Sequence, residues 1–599
     1  MKITENKVLC AALVFLAAFF AYANSVNPTF HWEDEYLVRD NVHIRRLTNL
    51  PAFFRPGYIN VYESGAGHRY RPLRTVTLAL DYALWKGDPR GYHLSNVLLN
   101  CGAALMFWLF CLALTGNGLL ALLAGLLFAL HPAHAESVAW VKNRSDILCA
   151  LFYFASAAAF AFYARHGKKT ALAASVLLAA PAFLAKEMAL TLPFALALAL
   201  VYSNLEAGKD WKEKWEALVP FFALLAAYVV FRETAMAGGP AAIGAGAAPL
   251  ARAQLLAVTA GEYLKTLLWP VTLSIDRALP SGGAAALQYG LAAVFIAGVP
   301  GLWFSGRRRG AFWLLLFWVL YVPISNLVLI EGRPFAEQRL YLPSAAFCAF
   351  IAWALTELPR PGSRLARASL GFALALGLFW GARGAYRNLD WKSEVGLWQK
   401  TAASSPSARV YNNLAVALLR ENRYEEGIRN AQESLRLDPA FVDAWNTLGA
   451  GYHDLKLYDR SISAFEKAVY FSDGRAYKSV MNLAALYSLK GRWQEALAAY
   501  QSVLKTAPWM DAAYYNMGLA LAQQKRPDEA LRAFSEALAL NPYNAQAYLM
   551  MGRILDEKGD RAGAARVYAD LLRIEPGNQQ ASAYLQANPP GIDSSRATP

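Results

Sequence analysis

Five groups of polar residues interrupt the apolar first half of the chain, and their side chains are of kinds that transfer protons and bind anions. The first group, in the loop 24–91, holds three consecutive acids, Glu33, Asp34 and Glu35. A carboxylate can accept a hydroxyl proton, and a guanidinium can bind phosphate oxygens in bidentate fashion. The groups indicate a shared site if the fold brings them together. The other four groups lie within 131–146, 186–187, 269–276 and 325–344.

Apolar runs of roughly twenty residues separate these groups, and a helix of that length crosses the hydrocarbon core of a bilayer. The composition agrees, because 56% of the 599 residues are hydrophobic and 17% are charged. We predict an all-α fold whose first domain, 1–387, is a polytopic membrane bundle of about eleven helices. The predicted spans are 8–24, 92–115, 118–133, 146–165, 170–185, 187–202, 215–231, 286–304, 311–329, 340–357 and 366–382.

Basic residues between the runs indicate an orientation, because cytoplasmic loops are enriched in Lys and Arg. With the N-terminus in the cytoplasm, the clusters 165–169 and 209–214 fall inside. The clusters 307–309 and 360–367 also fall inside if the apolar segment 254–270, which contains charged residues, does not cross. We therefore predict that the segment 254–270 does not cross the membrane. All five polar groups and the chain after 387 are then extracytoplasmic.

The first apolar run has a second interpretation. Lys7 precedes it and Ala21-Tyr22-Ala23 ends it, which resembles a signal peptide with its cleavage site. We expect the run to be retained, because it anchors the loop that follows.

From residue 408 the chain has a period of about 34 residues, which is typical of tetratricopeptide repeats. Five copies keep nearly one register. A small residue such as Gly518 is expected to let paired helices pack closely, and a proline such as Pro542 to end the second helix. The pattern predicts an α-solenoid with a concave binding surface. The predicted segments are a half-repeat helix at 388–407, five repeats at 408–578 and a polar, disordered tail at 579–599.

The sequence gives little indication of a metal site or of a nucleic-acid-binding site. The five cysteines lie in or beside apolar runs, without a spacing typical of zinc or disulfides. His131 and His134 lack a third ligand, and Pro132 favours a turn between them. We predict no metal and no cofactor. The net charge of +14 reflects short loops between spans, so we predict no nucleic-acid partner.

Taken in order, the motifs resemble those of the TMTC proteins, a family of transmembrane tetratricopeptide-repeat glycosyltransferases that includes O-mannosyltransferases. The resemblance covers nearly the whole chain. Glu33-Asp34 stands where the family often has two aspartates, and Gln338 interrupts a usual Ala-Glu-Arg run. The matching motifs are the acidic loop, Tyr-Arg-Pro-Leu at 70–73, Gly91-Tyr92-His93 with Asn96, and the segments 130–136, 143–146, 186–187 and 337–344.

The resemblance implies a GT-C fold, a metal-independent transfer and a polyprenyl-phosphate sugar donor. Because that donor carries its own leaving group, the enzyme needs a base for the acceptor hydroxyl and cations for the departing phosphate. We predict Asp34 as the base, with Glu33 and Glu35 as alternatives. The predicted phosphate ligands are Arg339, Lys186, Arg71 and Arg144, and the other site candidates are His93, His134, Glu136, Asp146, Glu337 and Tyr341.

Structural roles are open alternatives for several of these residues. The acidic loop could be a solvated turn, and Arg339 could extend along the bilayer surface. Lys186 could pair with Glu187, and Asp146 could cap the helix that follows it. His93 could orient Asp34 or cap a span.

The acceptor is predicted to be an extracytoplasmic protein hydroxyl recruited by the repeats. The Ala-, Arg- and Leu-rich composition is typical of bacteria, which favours undecaprenyl phosphate as the donor lipid and the inner membrane as the location. A second hypothesis is a membrane-anchored scaffold for envelope assembly without catalysis. A transporter is a third, but charges gathered at one face favour an enzyme.

Overall fold

The computed structural model describes residues 2–55, 70–235, 249–327, 333, 335–472 and 477–588. Within these residues the regular structure is helical throughout, so the predicted all-α class is confirmed. The chain divides into two compact units, Met1–Ser405 and Pro406–Pro599. The boundary assigns the predicted half-repeat helix to the first unit, and the other predicted domain limits stay predictions.

The first unit is built from long apolar helices joined by short helical segments. Its α-helices longer than four residues are α1 Lys7–Tyr22, α2 Pro72–Trp85, α3 Pro89–Thr115, α4 Gly118–Leu130, α5 Ala135–Ala139, α6 Arg144–His166, α7 Lys169–Ala185, α8 Leu192–Glu206, α9 Val219–Ala235, α10 Pro249–Leu268, α11 Ala286–Phe304, α12 Arg308–Tyr321, α13 Pro343–Glu357, α14 Arg364–Asn388 and α15 Glu394–Ser404.

Seven helical segments of the described chain are long and apolar enough to cross a membrane, and an eighth results if α4 and the bent segment Pro132–Ala139 form one span. Each of the eleven predicted runs contains a helix, but several helices are shorter than their runs. Pro132 follows the end of α4, and α12 ends two residues before Pro323. Because proline removes a donor and clashes with the preceding turn, it ends these helices early.

The two ends of the bundle differ in chemistry. At one end, called here the polar end, the Tyr22 hydroxyl donates to the carbonyl of His131 at 2.6 Å. At the other, called the basic end, Arg309 pairs with Glu206 at 2.6 Å and with Glu357 at 2.9 Å. The helix ends that carry the predicted site motifs meet at the polar end.

The amphipathic segment 254–270 belongs to α10, and both parts of that helix contact the polar end. Near its start, the Arg252 guanidinium donates to the carbonyl of Leu327, beyond the end of α12, at 3.0 Å. At its end, a ring nitrogen of His131 lies 3.2 Å from the carbonyl of Leu267. A helix of this length spans about 30 Å, so these contacts indicate that α10 runs along the polar end.

Small side chains allow the bundle helices to pack closely, as is common between membrane helices. Gly125 of α4 lies against α3, where an added Cβ would be 2.9 Å from the Trp108 side chain. Ser156 and Ser175 join α6 to α7, since each hydroxyl donates to the other's backbone carbonyl at 2.8 and 2.7 Å.

The second unit consists of paired helices in the predicted register. Gly449, Gly518 and Gly552 each lie under an aromatic ring of the paired helix, where an added Cβ would come within 2.9, 2.8 and 2.5 Å of it. The second helices of the first, third, fourth and fifth pairs end two residues before a proline, as predicted. The pairs are α16 Ala408–Arg420 and α17 Tyr424–Leu437, α18 Val442–Asp454 and α19 Tyr458–Phe471, α20 Tyr477–Leu489 and α21 Trp493–Thr506, α22 Asp511–Gln523 and α23 Pro527–Leu540, and α24 Ala545–Glu557 and α25 Arg561–Ile574.

The start of the predicted disordered tail forms a further helix, α26 Gln579–Ala587. Asn578 caps it, Ala581 is fully buried, and the Tyr584 ring packs 4.5 Å from that of Tyr568. This helix covers the apolar side of the last repeat, which explains why a polar sequence is ordered there. Residues 589–599 of the predicted tail lie outside the described residues.

Candidate active site

Asp34 is fully buried at the polar end, on the turn before the helical segment Glu35–Arg39. Its Oδ1 accepts the backbone N–H of Lys142 at 2.7 Å, and its Oδ2 accepts that of His31 at 3.3 Å. Burial raises the pKa of the Asp34 carboxyl to about 8, although both N–H groups act in the opposite direction. The alternative of a solvated acidic turn is wrong for Asp34, because its side chain is fully buried.

A strained turn positions this carboxyl. Trp32 has a φ of 42°, in the left-handed region that residues with a side chain rarely adopt. Its N–H donates to Oε1 of Glu394 at 2.8 Å. Glu394, which follows the last apolar run, therefore holds the loop that follows the first apolar run. The Trp32 ring also packs against three other indoles, those of Trp140, Trp391 and Trp398, at centroid distances of 4.9, 6.1 and 5.3 Å.

The two acids beside Asp34 have different partners. Glu33 forms an ion pair with the ammonium of Lys142, whose backbone N–H binds Asp34. Glu35 pairs with Arg39 at 3.0 Å, and the Arg39 side chain is 58% exposed. The structure brings Glu33 to Asp34, whereas Glu35 faces outward.

Two ion pairs whose cations are buried lie beside each other near this loop. Arg71 binds Glu187 through two nitrogens, at 2.6 and 3.2 Å, and Lys186 binds Asp146 at 2.6 Å. The charges of Arg71 and Glu187 also act on Lys186. Lys186 therefore pairs with Asp146 and not with Glu187, because the Glu187 carboxylate binds Arg71. Asp146 lies in the first turn of α6 and is not its cap.

Arg144 is fully buried within the helix contacts. It pairs with Asp81 at 2.5 Å and donates to Oδ1 of Asn96 at 2.7 Å and to the carbonyl of Tyr92 at 3.0 Å. These contacts tie α6 to α2 and α3. We therefore interpret Arg144 as a structural guanidinium that supports the site.

Arg74 and Lys142 are site residues that the motifs did not reveal. Arg74 lies in the first turn of α2, three residues after Arg71, which directly precedes that helix, and it is 3% exposed. Burial lowers the pKa of Arg74, and the negative charges of Glu33, Asp34 and Glu187 oppose that shift. Arg74 therefore lies within electrostatic reach of both the acidic loop and the ion pairs. The three-residue spacing of Arg71 and Arg74 was the signal that could have identified it.

Three further predicted residues make buried contacts between elements. A ring nitrogen of His93 lies 3.1 Å from the carbonyl of Thr29, so His93 supports the start of the acidic loop. A ring nitrogen of His134 lies 2.7 Å from the Ser344 hydroxyl. The Tyr341 hydroxyl donates to Oδ1 of Asn100 at 2.6 Å.

Glu136 and Glu337 belong to a second charged group at the polar end. Glu136 pairs with Arg333 at 3.0 Å, and Glu337 accepts the backbone N–H of Ser274 at 2.5 Å. Burial raises the pKa of Glu337, partly opposed by Arg387 and Arg277. Arg339 lies with this second group, where its side chain interacts with Tyr263 of α10.

Among the described residues, no three His, Cys, Asp or Glu side chains are arranged to hold a metal ion. The rings of His131 and His134 are 5.6 Å apart, and each contacts another partner, the Leu267 carbonyl and the Ser344 hydroxyl. All five cysteines are free and buried.

Comparison with family models identifies the repeats of the second unit. Tetratricopeptide-repeat models match residues 397–478, 479–511, 512–544 and 546–578. Among solved structures, YrrB, a tetratricopeptide-repeat protein, is 22% identical and matches with a TM-score of 0.27, covering 32% of this chain and 97% of that one.

Relatives that match both units carry a single description. Human "Protein O-mannosyl-transferase TMTC3" is 26% identical over 84% of this chain and 61% of its own length. Tmtc1 of Drosophila melanogaster is 24% identical over 73% of this chain and 62% of its own length, and human TMTC4 is 27% identical over 69% and 64%. The chain thus spans about three fifths of the length of these relatives.

The resemblance indicated by the motifs is confirmed: this integral membrane chain is similar to the TMTC protein O-mannosyl-transferases over most of its length and carries tetratricopeptide repeats in its second unit.

Proposed function

We propose that the chain is a membrane glycosyltransferase that moves a mannosyl group from a polyprenyl phosphate to the hydroxyl of a protein. The names of the relatives support the sugar and the protein acceptor. The observation that carries the proposal is the buried Asp34 carboxyl beside a group of cations, with a pKa raised to about 8 by burial.

Asp34 acts as the general base in this proposal. The acceptor oxygen attacks C1 of the sugar, the bond between C1 and the phosphate oxygen breaks, and the hydroxyl proton passes to an Asp34 oxygen. The bonding electron pair leaves with the polyprenyl phosphate. Each Asp34 oxygen accepts a backbone N–H, which fixes the carboxylate toward the reacting hydroxyl.

We assign the departing phosphate to Arg71, Arg74 and Lys186, which are buried cations near the acidic loop. Because Arg71 and Lys186 are paired with Glu187 and Asp146, the phosphate competes with these carboxylates for their donors. Such cations stabilise a leaving phosphate without a metal ion. Arg339, in the second charged group, is assigned to the donor at a position farther from Asp34.

For the membrane, we propose a GT-C-type bundle with eleven crossings, formed by α1, α3, α4, α6 to α9 and α11 to α14. If α10 stays at the polar end, all the basic clusters lie at the basic end. The positive-inside rule then places the basic end in the cytoplasm. The polar end and the chain after α14 are then extracytoplasmic. In a bacterial cell this membrane is the inner membrane and the donor lipid is undecaprenyl phosphate.

The repeats have the proposed role of recruiting the acceptor protein. Tetratricopeptide arrays provide extended surfaces for protein segments. The described repeats keep their charged side chains exposed in short-range pairs, which leaves them free to exchange partners.

Replacing Asp34 by Asn tests the function. Asn has nearly the same size but cannot accept the proton, so we expect the rate of O-mannosylation to fall by about 10²–10⁴. The matched control is Glu35→Gln, which removes a neighbouring, half-buried acid that is paired with the exposed Arg39 and should retain near-normal transfer. Mass spectrometry of O-mannosylated surface proteins measures both in cells that lack the native chain, and protease mapping checks that the variants insert.

Near-normal transfer in Asp34→Asn with Glu33→Gln would leave the loop without a catalytic role. The scaffold hypothesis would then stand, particularly if deletion of 406–588 abolished function. Loss in Glu33→Gln alone would keep the enzyme but transfer the role of base to Glu33.

A second test concerns the donor. We expect Arg74→Gln to raise the KM for the polyprenyl-phosphate sugar about tenfold, since a charged hydrogen bond to phosphate is lost. Arg39→Gln, an exposed arginine four residues after Glu35, should leave KM unchanged. Kinetics in proteoliposomes measure the difference, and an equal KM in the two variants removes Arg74 from the donor site.

A further inference from the structure

An apolar crevice opens at the basic end of the bundle, away from the acidic loop. It has a volume of about 80 Å³. Its walls come from α8, α11 and α12, and part of the lining is open, since Trp303 is 43% exposed and Leu315 is 39% exposed. Lining residues include Leu198, Tyr202, Val299, Trp303, Phe312 and Leu315.

Positive charge that the protein does not neutralise lies at the mouth of this crevice. Arg308 lines the crevice, is exposed, and has its guanidinium 5.7 Å from the Trp303 ring centre. Arg307 beside it is also exposed. Within the described residues, no acid lies within ion-pairing distance of Arg307 or Arg308.

The acid that also lines the crevice does not cancel this charge. Glu206 binds Arg309 at 2.6 Å, and Arg309 binds Glu357 as well. Glu206 and Glu357 share Arg309, so the three arginines 307–309 exceed the two acids by one charge, and Arg307 and Arg308 are the members of the cluster without a paired acid among the described residues.

We propose that this crevice binds an anionic phospholipid, with one acyl chain against α8, α11 and α12 and the phosphate on Arg308. Apolar walls favour the chain, and a guanidinium is suited to the phosphate. Basic pockets between membrane helices on the cytoplasmic side hold such head groups. The Arg308–Trp303 pair fits this role, because tryptophan is enriched at the level of the head groups. The inference does not depend on the proposed glycosyl transfer, but it rests on the proposed membrane orientation, in which the basic end is cytoplasmic.

Native mass spectrometry of the full chain in detergent tests the site with dioleoyl phosphatidylglycerol and dioleoyl phosphatidylcholine as probes. We expect one phosphatidylglycerol to bind at least tenfold more tightly than phosphatidylcholine. Arg308→Gln should weaken it about tenfold, and Arg308→Lys less. Val299→Trp should block the crevice without changing charge.

Matched controls separate a specific site from the lipid that surrounds any bundle. Arg367→Gln is the control for charge, because it removes an exposed arginine of α14 at the same end of the bundle. Val294→Trp is the control for size, because it enlarges a side chain of α11 that is 66% exposed. Both should bind phosphatidylglycerol within twofold of the unmodified chain.

Three results would overturn the proposal. Equal binding of the two probes removes the selectivity for an anionic lipid. An equal loss in Arg308→Gln and Arg367→Gln makes the effect one of general charge. Stronger binding of decaprenyl phosphate than of phosphatidylglycerol assigns the crevice to a prenyl lipid.

Discussion

Charged side chains are paired in opposite ways in the membrane bundle and in the repeats. In the bundle, several buried cations pair with buried acids that are distant in sequence, as in Arg144 with Asp81 and Lys186 with Asp146. In the repeats, most exposed partners are three or four residues apart on one helix, as in Arg436 with Glu433 and Arg553 with Glu557, although Lys490 with Asp459 and Lys558 with Asp528 join different helices. The bundle pairs therefore fix the relative positions of helices, whereas most of the repeat pairs lie on the surface of a single helix.

The difference indicates where charge carries function. Removing one partner of a buried pair leaves an uncompensated charge, while an exposed pair contributes little. The repeats instead depend on close helix packing, shown by the glycines under Phe465, Phe534 and Tyr568. The predictions below test this contrast.

The largest contrast concerns pH. Because burial raises the pKa of Asp34 to about 8 and the base acts only when deprotonated, transfer should fall about 50-fold from pH 8 to pH 6. The repeat acids should not contribute, since Arg436, for example, lowers the pKa of Glu433. The dependence of kcat/KM on pH measures this. Glu35→Gln should keep the profile, whereas a flat profile in the unmodified chain contradicts the role of Asp34.

A smaller effect is expected on stability. Asp146→Asn leaves Lys186 buried without its carboxylate, which costs about 3–5 kcal/mol. In the repeats, Glu433→Gln breaks an exposed pair and should leave the unfolding midpoint unchanged. Thermal unfolding in detergent compares the variants. Equal midpoints for the two would contradict the contrast between the regions.

The smallest effect is expected from packing within the repeats. Gly518→Ala places a Cβ 2.8 Å from the Phe534 ring and should destabilise the array by about 1–3 kcal/mol. Gly577→Ala is the control, because nothing lies within 4 Å of its Cβ. Limited proteolysis of the full chain reads out the difference. Resistance equal to that of the control would mean that the helices can separate without cost.

Periodicity predicted much of the fold, because helix length and proline position are local properties. The sequence pattern correctly predicted the positions of glycine and proline in the repeats. It also predicted a helix within each apolar run. The helix α26 was missed because its stability comes from contact with Tyr568, which a polar composition does not reveal. The early end of α12 follows from Pro323, a signal that was present but outweighed by hydropathy.

Residue types in the acidic loop could be predicted, but their environment could not. Asp34 is buried because its partner Lys142 comes from 108 positions away, and no local pattern encodes that contact. Glu35 has the same chemistry and adjoins Asp34, yet faces solvent. Arg339 was selected from its motif, whereas its contact with Tyr263 depends on where α10 lies.

The hydrogen bond from Trp32 to Glu394 has a consequence for biosynthesis. The two residues are 362 positions apart, so the ribosome completes the turn that carries Asp34 long before it makes the residue that holds it. At about 5–20 residues per second, the delay is roughly 20–70 s. Throughout that interval the nascent chain lacks its finished carboxylate site, and a chain that stops after the last bundle helix never acquires it.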